Sequence, residues 1–422
     1  MQNDCFPDAP PEWDKRPISA LADINPRYPV KKGQELPFIE MAAVGEQFGG
    51  IQSIDRRILE GSGLARFKVG DTLFAKITPC PENGKVAFVH ELPAEYGIGS
   101  TEFIVLSPKP NCDPRYLYHL VCAHALRGRA ASRMEGSTGR QRVPEDVFEK
   151  RLLVPVPSPG EQSGIARILD AVDAAINRTR EAAERVRQLD HSLLHELLEK
   201  GIGEQRKKGK PNWKVYRLDE VADVGSGVTL GKDVSAFKYL ELPYLRVANV
   251  QDGHLNLSSI KTIRVRTEEA DNYRLIPGDV LMTEGGDLDK LGRGAMWDGQ
   301  IPNCLHQNHI FRIRANREYL CPFFFALIVE SDFAKSYFLR VAKRTTNLAS
   351  INKTVLRAFR FAVPHTMVQE QIENVMREVK AKQAGLAAKE RALLTLKKAM
   401  MHDLLNGTVR VNANLVQEAE AV

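Results

Sequence analysis

The chain has 422 residues, 43% of them hydrophobic and 27% charged, and its formal net charge is +6. That length provides for two or three domains, each with its own core. The longest apolar run, residues 323–329, is far shorter than the roughly 20 residues of a membrane span, and no signal-peptide core opens the chain. The six cysteines lack CxxC spacing, which argues against a disulfide framework or a zinc ribbon. We expect a cytoplasmic protein that does not bind membranes.

Residues 1–157 are predicted to form a first globular domain, because they are rich in β-branched residues and punctuated by Gly and Pro. One buried helix is predicted from Tyr116 to Leu126. Potential metal ligands lie in or beside it: Cys112, His119, Cys122 and His124. Burial in a helix explains this cluster better than metal binding does.

A first long helix is predicted over residues 158–203, where no proline follows Glu161 and apolar positions alternate at spacings of four and three. These positions are Ile165, Leu169, Val172, Ile176, Thr179, Ala183 and Val186. Gly201 stands where a helix C-cap is expected. One compact domain cannot bury so long a seam, whereas pairing with a second helix can.

A polar linker at residues 204–212 leads to a second domain at 213–364, a second long helix at 365–407 and a tail at 408–422. Residues 156–198 align without a gap on residues 363–405, at an offset of 207. The second seam therefore consists of Ile372, Met376, Val379, Gln383, Leu386, Glu390 and Leu393.

Shorter matches extend this repeat into the domains, for example Gly70-Asp71 with Gly278-Asp279. A repeat of half the chain is too long for a solenoid unit. The predicted fold is α+β, with two pseudo-symmetric globular α/β domains joined by two long antiparallel coiled-coil helices. A protein with two-fold character suits a two-fold ligand, of which DNA is the commonest.

Basic residues cluster at equivalent places in both repeats. The first cluster is Arg127, Arg129, Arg133, Arg140 and Arg142, opposed only by Glu135. The second is Lys335, Arg340, Lys343, Arg344 and Lys353, opposed only by Asp332. A solvated face explains either cluster alone, but their duplication favours a polyanionic ligand.

No complete catalytic motif is present. Residues 225–232 resemble a phosphate-binding loop but lack its spacing, and Asp233 stands where the Mg²⁺-binding Ser or Thr belongs. Residues 25–28 resemble the Asn-Pro-Pro-Tyr/Phe motif of amino-methyltransferases, but Arg27 disrupts the apolar pocket that a flipped base needs. We expect no catalysis by the chain alone.

Together these features resemble the specificity subunit of type I restriction–modification enzymes, over nearly the whole chain. The most specific part is the junction between each domain and its helix. In the first repeat it comprises residues 136–143 (Gly-Ser-Thr-Gly-Arg-Gln-Arg-Val), residues 153–157 (Leu-Val-Pro-Val-Pro), Gln162 and Leu197-Leu198. In the second repeat it comprises Ser350-Ile351, residues 361–364 (Phe-Ala-Val-Pro), Gln369 and Leu404-Leu405. The second repeat departs from the first at the Arg-Gln-Arg element, where residues 347–350 read Asn-Leu-Ala-Ser.

The resemblance implies a non-catalytic subunit that binds double-stranded DNA. Each domain would read one half of a bipartite, interrupted target, and the helices would act as a spacer and as the docking site for two methyltransferase subunits. Those subunits bind S-adenosylmethionine and methylate adenine, so this chain would carry no cofactor and no metal of its own. In a system that restricts, two motor–nuclease subunits that use ATP and Mg²⁺ join the complex.

Candidate DNA contacts combine a loop position with side chains that neutralise phosphates or pair with base edges. They are Lys85, Arg140, Gln141 and Arg142 in the first domain, and Arg246, Arg293, Lys343, Arg344 and Asn347 in the second. Candidate partner contacts are apolar residues outside the seam, near the C-terminal ends of both helices. They are Leu193, Leu197, Leu198, Met400, Leu404 and Leu405, for which packing on the neighbouring domain is the alternative.

Three other functions stay open on the sequence. They are a coiled-coil adaptor that reads no DNA sequence, the specificity subunit of a related type IIB-like modification system, and a self-contained methyltransferase or nuclease. Failure to bind any DNA library would favour the adaptor. Binding of S-adenosylmethionine by the pure chain would favour the self-contained enzyme.

Overall fold

The computed structural model describes residues 4–47, 49–61, 63–137, 139–202, 213–231, 234, 236–287, 290–344 and 348–411. Two compact units divide the chain: unit 1 contains residues 1–181 and 386–422, and unit 2 contains residues 182–385. The predicted linker at 204–212 and all but the first four residues of the predicted tail lie outside the described residues.

The first domain, in unit 1, consists of short strands followed by two helices. Its elements are β1 (Asp14–Pro17), β2 (Ala22–Ile24), β3 (Glu35–Ile39), β4 (Asp55–Ile58), β5 (Ala65–Phe67), β6 (Thr72–Ala75), β7 (Val86–Phe88), β8 (Gly97–Gly99), β9 (Phe103–Pro108), α1 (Pro114–Cys122), α2 (His124–Ala131) and β10 (Leu153–Val156). Single helical turns lie at Ile18–Ala20, Met41–Ala43 and Val147–Arg151.

Two four-stranded sheets form in this domain. One has the order β2-β9-β6-β7 and is antiparallel throughout, and the other has the order β4-β3-β8-β5, in which β3 and β8 are parallel. Strands β6 and β9 are almost wholly buried and read as continuous apolar runs, because both of their faces are covered. Strand β1 pairs with β10, which leads into the first long helix.

The second domain, in unit 2, follows the same plan after helix α3 (Pro159–Lys200). Its elements are β11 (Lys214–Arg217), α4 (Leu218–Val221), β12 (Ala222–Ser226), β13 (Tyr239–Leu245), β14 (Lys261–Arg266), α5 (Ala270–Tyr273), β15 (Val280–Thr283), β16 (Gly285–Gly286), β17 (Gly294–Met296), β18 (Leu305–His306), β19 (Ile310–Ala315), α6 (Pro322–Glu330), α7 (Asp332–Val341), β20 (Lys343–Arg344), β21 (Ala349–Ser350), α8 (Lys353–Arg357) and β22 (Arg360–Val363). The sheet β12-β19-β15-β17 matches β2-β9-β6-β7, and the pair β11-β22 matches β1-β10. The repeat in the sequence is therefore a repeat of topology.

The helix predicted over residues 116–126 is in fact two helices. Helix α1 begins behind Asp113, whose side chain accepts hydrogen bonds from the backbone N–H groups of Arg115 and Tyr116. The backbone becomes extended at Ala123 (φ −62°, ψ 133°), and α2 begins at the next residue. The prediction of one continuous helix is wrong because alanine carries no sign of a break at a single residue.

The second long helix, α9 (Thr366–Leu405), ends as α3 does, at a glycine with positive φ. Gly201 has φ 72° and Gly407 has φ 66°, so both occupy the left-handed conformation of a C-cap. No helix among the described residues is long and apolar enough to cross a membrane.

A buried glutamine locks the start of each long helix to its domain. The Gln162 amide donates to the Pro157 carbonyl at 2.9 Å and accepts from the Asp113 backbone N–H at 3.0 Å. Gln369 does the same in the second domain, donating to Pro364 at 2.8 Å and accepting from Cys321 at 2.8 Å. Buried polar groups need such partners, which accounts for the Pro and Gln that recur in both copies of the repeat.

Helices α3 and α9 pair antiparallel, as predicted. Within unit 1, Arg180 Nε lies 2.6 Å from Glu390 Oε1, and Lys397 bonds to Asp173 earlier on α3. Within unit 2, Lys380 Nζ lies 4.0 Å from an Asp190 oxygen. All the predicted seam residues are buried or half-buried.

Of the six apolar residues predicted to contact partner subunits, three are buried in the two domain cores and three are half-buried against them. Leu404 and Leu405 are 3% and 0% exposed in the core of unit 1, against which Met400 packs. Leu197 is buried in the core of unit 2, and Leu193 and Leu198 pack against that core. Packing on the domains accounts for the buried side chains, whereas contact of the half-buried Leu193, Leu198 and Met400 with partner subunits stays a prediction.

Leu404→Ala should destabilise the protein strongly, because it leaves a cavity in the unit 1 core. We expect a loss of about 2–5 kcal/mol in the free energy of unfolding. Leu396, on the same helix, is 48% exposed, so Leu396→Ala should change it by no more than about 0.5 kcal/mol. Urea unfolding of both full-length variants measures the difference, and equal values would contradict the packing described.

Candidate nucleic-acid interface

Two loops of the first domain are held together by backbone hydrogen bonds and form what we call its loop assembly. One loop is residues 76–85, between β6 and β7, and the other contains residues 140–143. The Thr78 N–H donates to the Gln141 carbonyl at 3.0 Å, and the Val143 N–H donates to the Lys76 carbonyl at 2.9 Å. Arg142 also exchanges two backbone hydrogen bonds of 2.9 Å with Glu135, which folds residues 135–142 into a hairpin. Its tip contains Gly136 (φ 120°) and Gly139 (φ 78°), where residues with a side chain would be strained.

The second domain has the same assembly. Strand β16, in the loop after β15, pairs with β21, and β21 pairs with β20. The Ile351 N–H donates to the Glu284 carbonyl at 2.9 Å, as Val143 does to Lys76. The backbone scaffold of the two sites is therefore common, although Leu348-Ala349-Ser350 replaces Arg140-Gln141-Arg142.

The predicted DNA contacts of the first domain lie on these two loops. Arg140 and Arg142 are exposed on the hairpin, and Gln141 between them is half-buried. The Arg142 guanidinium makes three hydrogen bonds of 2.7–3.1 Å to the Glu102 carboxylate, and this pairing raises the pKa of Arg142. Lys85 ends the other loop, half-buried, with Nζ 3.4 Å from the Met41 carbonyl.

Arg293 in the second domain occupies the position of Lys85 in the first. The Arg293 carbonyl accepts from the Thr283 N–H at 2.9 Å, as the Lys85 carbonyl accepts from Ala75 at 3.2 Å. The Arg293 guanidinium is oriented by the Gln251 side chain at 2.9 Å. The structure thus places a basic residue at the same point of both scaffolds.

The other predicted contacts of the second domain are divided between two places. Lys343 and Arg344 are exposed on β20, and the Arg344 guanidinium donates to the Leu339 carbonyl at 2.6 Å. Arg246 follows β13, where its guanidinium donates to the Ser259 carbonyl at 3.2 Å and so holds a neighbouring loop. Asn347 lies outside the described residues.

A basic edge strand in each domain was missed by the sequence analysis. Strand β4 carries the exposed Arg56 and Arg57, and Arg57 lies 4.7 Å from the centre of the Phe38 ring. The equivalent strand β14 carries Arg264 and Arg266, which lie over the rings of Tyr239 and Phe237 at 5.1 and 3.4 Å. The alternation of basic and apolar residues in 261–266 (Lys-Thr-Ile-Arg-Val-Arg) is the signal that could have revealed it.

One of the potential metal ligands near α1, His119, takes part in a buried ionic network. His119 Nε2 lies 2.7 Å from Asp170 Oδ1, and Arg115 Nε lies 2.9 Å from the same oxygen. Burial raises the pKa of Asp170, but the hydrogen bonds from His119 and Arg115 outweigh it and lower the pKa to about 2. Asp173 is bound by Lys397. His119, Asp170 and Asp173 lie close enough together to share a metal ion, but in this structure Arg115 and Lys397 already neutralise the two carboxylates.

The methyltransferase-like residues 25–28 form a structural turn. Asn25 has φ 49°, and its side-chain oxygen accepts from the Val105 N–H at 2.9 Å. The Tyr28 hydroxyl lies 2.9 Å from both Asp71 and Ser107. The amide that would hold a flipped base is therefore committed to strand β9.

A family model of the type I restriction modification DNA specificity domain matches residues 10–185 and again residues 210–396. The specificity subunit of the Escherichia coli type I restriction enzyme EcoEI is 29% identical over 46% of this chain and 34% of its own length. That of the Escherichia coli enzyme EcoAI is 32% identical over 36% of this chain and 26% of its own length. The chain thus matches about a third or less of the length of these relatives.

The fold also matches a solved structure. The S subunit of a type I restriction–modification system from M. genitalium superposes with a TM-score of 0.56 at 14% identity, covering 93% of this chain and 96% of that one. The two copies of the family model coincide with the two repeats of domain and helix described above. The chain belongs to the type I restriction modification DNA specificity domain family.

Proposed function

We propose that this chain is the DNA-specificity subunit of a type I restriction–modification complex. Each domain binds double-stranded DNA through its loop assembly and reads one half of a bipartite, interrupted target. Family membership over both repeats supports the assignment. The duplicated loop assembly is the observation that carries it, because one backbone scaffold presents two different sets of side chains.

The side chains fit the two tasks of a DNA reader. Lysine and arginine neutralise phosphates and orient the protein, while arginine and glutamine also recognise base edges. Lys85 and Arg293 occupy the shared position, whereas Arg140-Gln141-Arg142 exists in the first domain alone. The shared position suits a DNA contact in both half-sites, through a lysine that neutralises a phosphate in one domain and an arginine that can also pair with guanine in the other. The residues at 140–142, which differ between the domains, suit base reading.

The chemistry belongs to partner subunits in this proposal. Two methyltransferase subunits, with S-adenosylmethionine, would methylate adenine, and restriction subunits with ATP and Mg²⁺ would translocate and cut DNA. This chain would hold no cofactor. In support, the acidic cluster at α1 is neutralised by Arg115 and Lys397, and the Asn25 amide is committed to a turn.

The docking face for the methyltransferase subunits is proposed on the exposed sides of α3 and α9. Leu189 and Leu396 occupy equivalent positions of the repeat and are 51% and 48% exposed. One such leucine per repeat matches one partner subunit per repeat. Exposed leucines on a helix surface are candidates for burial in a complex.

DNA selection tests the assignment directly. We expect the full chain, co-expressed and purified with methyltransferase subunits from its own source, to enrich a bipartite, interrupted sequence from random duplex DNA. Sequencing of the bound fraction measures the enrichment, with the methyltransferase subunits alone as control. Enrichment of no sequence would leave the chain an adaptor that does not read DNA.

Arg293→Ala and Lys85→Ala should have different effects. Arginine can pair with guanine through two hydrogen bonds, so Arg293→Ala should cost about 1–3 kcal/mol and relax specificity in one half-site. Lysine acts as a point charge on phosphate, so Lys85→Ala should weaken all sequences alike and lower the salt slope by about one unit. Titrations of target and scrambled duplexes at several salt concentrations separate the two. Arg16→Ala, on β1 and outside both loop assemblies, is the control, and an equal effect from it would contradict the assigned surface.

Leu189→Asp combined with Leu396→Asp should weaken assembly with methyltransferase subunits and leave the melting temperature close to that of the parent chain. Both side chains are exposed, so charge is tolerated in the free protein but is costly in an apolar contact. Val69→Asp, at a side chain 48% exposed in the first domain, is the matched control. Gel filtration of the mixtures measures assembly, and an unchanged stoichiometry would exclude this docking face.

A further inference from the structure

Opposite charges face each other where α3 and α9 pair in unit 1. Lys397 is fully buried and bonds to Asp173, whose side chain is 15% exposed. Farther along α3 from Asp173, Arg180 Nε lies 2.6 Å from Glu390 of α9. A buried lysine without a carboxylate partner would be strongly destabilising. Lys397 therefore requires an acidic residue on the opposite helix.

The pairing in unit 2 uses the same two residue types on the same two helices. Lys380 Nζ on α9 lies 4.0 Å from Asp190 on α3 and 2.7 Å from Glu330. The two aspartates therefore both lie on α3, and the two lysines both lie on α9.

The repeat shows which charges would meet if two identical helices paired. At the offset of 207 residues, Asp173 aligns with Lys380 and Asp190 aligns with Lys397. Two copies of α3 paired in the same register would bring Asp173 of one against Asp190 of the other. Two copies of α9 would bring Lys380 against Lys397. Arg180 and Glu390 would each lose their partner, because their repeat equivalents are Ala387 and Ala183.

The apolar seam distinguishes the helices less sharply. Ile165 aligns with Ile372 and Leu169 with Met376, and only Gln383 and Glu390 of α9 are polar where α3 has Ile176 and Ala183. A second α3 would therefore find an apolar seam to pack against. Charged positions in a coiled coil set partner choice by penalising the wrong pair as well as by stabilising the right one.

We propose that the Asp173–Lys397 and Asp190–Lys380 pairs determine which helix each long helix accepts. Helix α3 accepts α9 of its own chain and rejects a second α3, and α9 likewise rejects a second α9. The rule goes beyond DNA recognition, and it holds whichever sequence the domains read.

Two full-length variants with identical composition test the proposal. Asp190→Lys with Lys397→Asp opposes like charges in both α3–α9 pairs and completes opposite pairs in α3–α3 and α9–α9. Asp173→Lys with Lys397→Asp changes the same number and types of residues but restores an opposite pair between α3 and α9. Pairing within one chain is favoured by its high effective concentration, so the second variant should stay a monomer.

Light scattering after gel filtration gives the number of chains per particle. We expect particles of two chains for Asp190→Lys/Lys397→Asp and of one chain for the parent and the matched control. A monomeric Asp190→Lys/Lys397→Asp with the melting temperature of the parent would overturn the proposal.

Melting temperature supplies a second, independent test if that variant does not fold. Lys397→Asp alone should lower the melting temperature, and addition of Asp173→Lys should recover most of the loss. Absence of recovery would also overturn the proposal, because the pair would then not depend on complementary charge.

Discussion

Each domain of this protein depends on apolar side chains of both long helices to complete its core. In unit 1, Leu169 of α3 and Leu405 of α9 belong to one buried cluster with the first domain. In unit 2, Leu197 of α3 and Ile372 of α9 belong to the core of the second domain. Because an isolated helix gains its stability mainly from packing, helix formation, helix pairing and domain closure are coupled. The antiparallel direction follows, since each unit needs the start of one helix and the end of the other.

Much of this architecture is visible in the sequence because it depends on periodicity and repetition. The seam at Ile165 and Ile372, the C-cap glycines Gly201 and Gly407 and the two-domain repeat are all local or self-referential patterns. The burial of Leu404 was not predictable, because nothing local distinguishes a leucine that faces a distant domain from one that faces a partner subunit. The pairing of Arg142 with Glu102 likewise depends on residues far apart in the chain. The break at Ala123 has no mark in the local sequence. The sequence therefore predicted candidate DNA contacts that the structure places mostly on the two loop assemblies, but not the partner of each side chain.

In both loop assemblies, the backbone hydrogen bonds that hold the loops do not depend on the side chains that the loops present. Backbone hydrogen bonds hold the loops, at Val143–Lys76 in one domain and Ile351–Glu284 in the other, and they make no demand on the side chains that project from them. The residues at 140–142 and 348–350 can therefore differ completely while the loops keep their course. A protein built this way can change the side chains that one domain presents on its loops without altering the core, the helices or the other domain.

The apolar and the charged positions along the paired helices are constrained differently by the repeat. An apolar position such as Ile165 can carry an equivalent residue in both helices, because burial is indifferent to which copy supplies it. A buried charge cannot, since Lys397 needs an acid and two identical helices would offer it a second lysine. When the two copies of a repeat pair with each other, their apolar positions can stay alike. Their charged positions must differ, because like charges would otherwise meet. The aspartates of α3 and the lysines of α9 meet this requirement, and they make the two helices unequal while Ile165 and Ile372 remain alike.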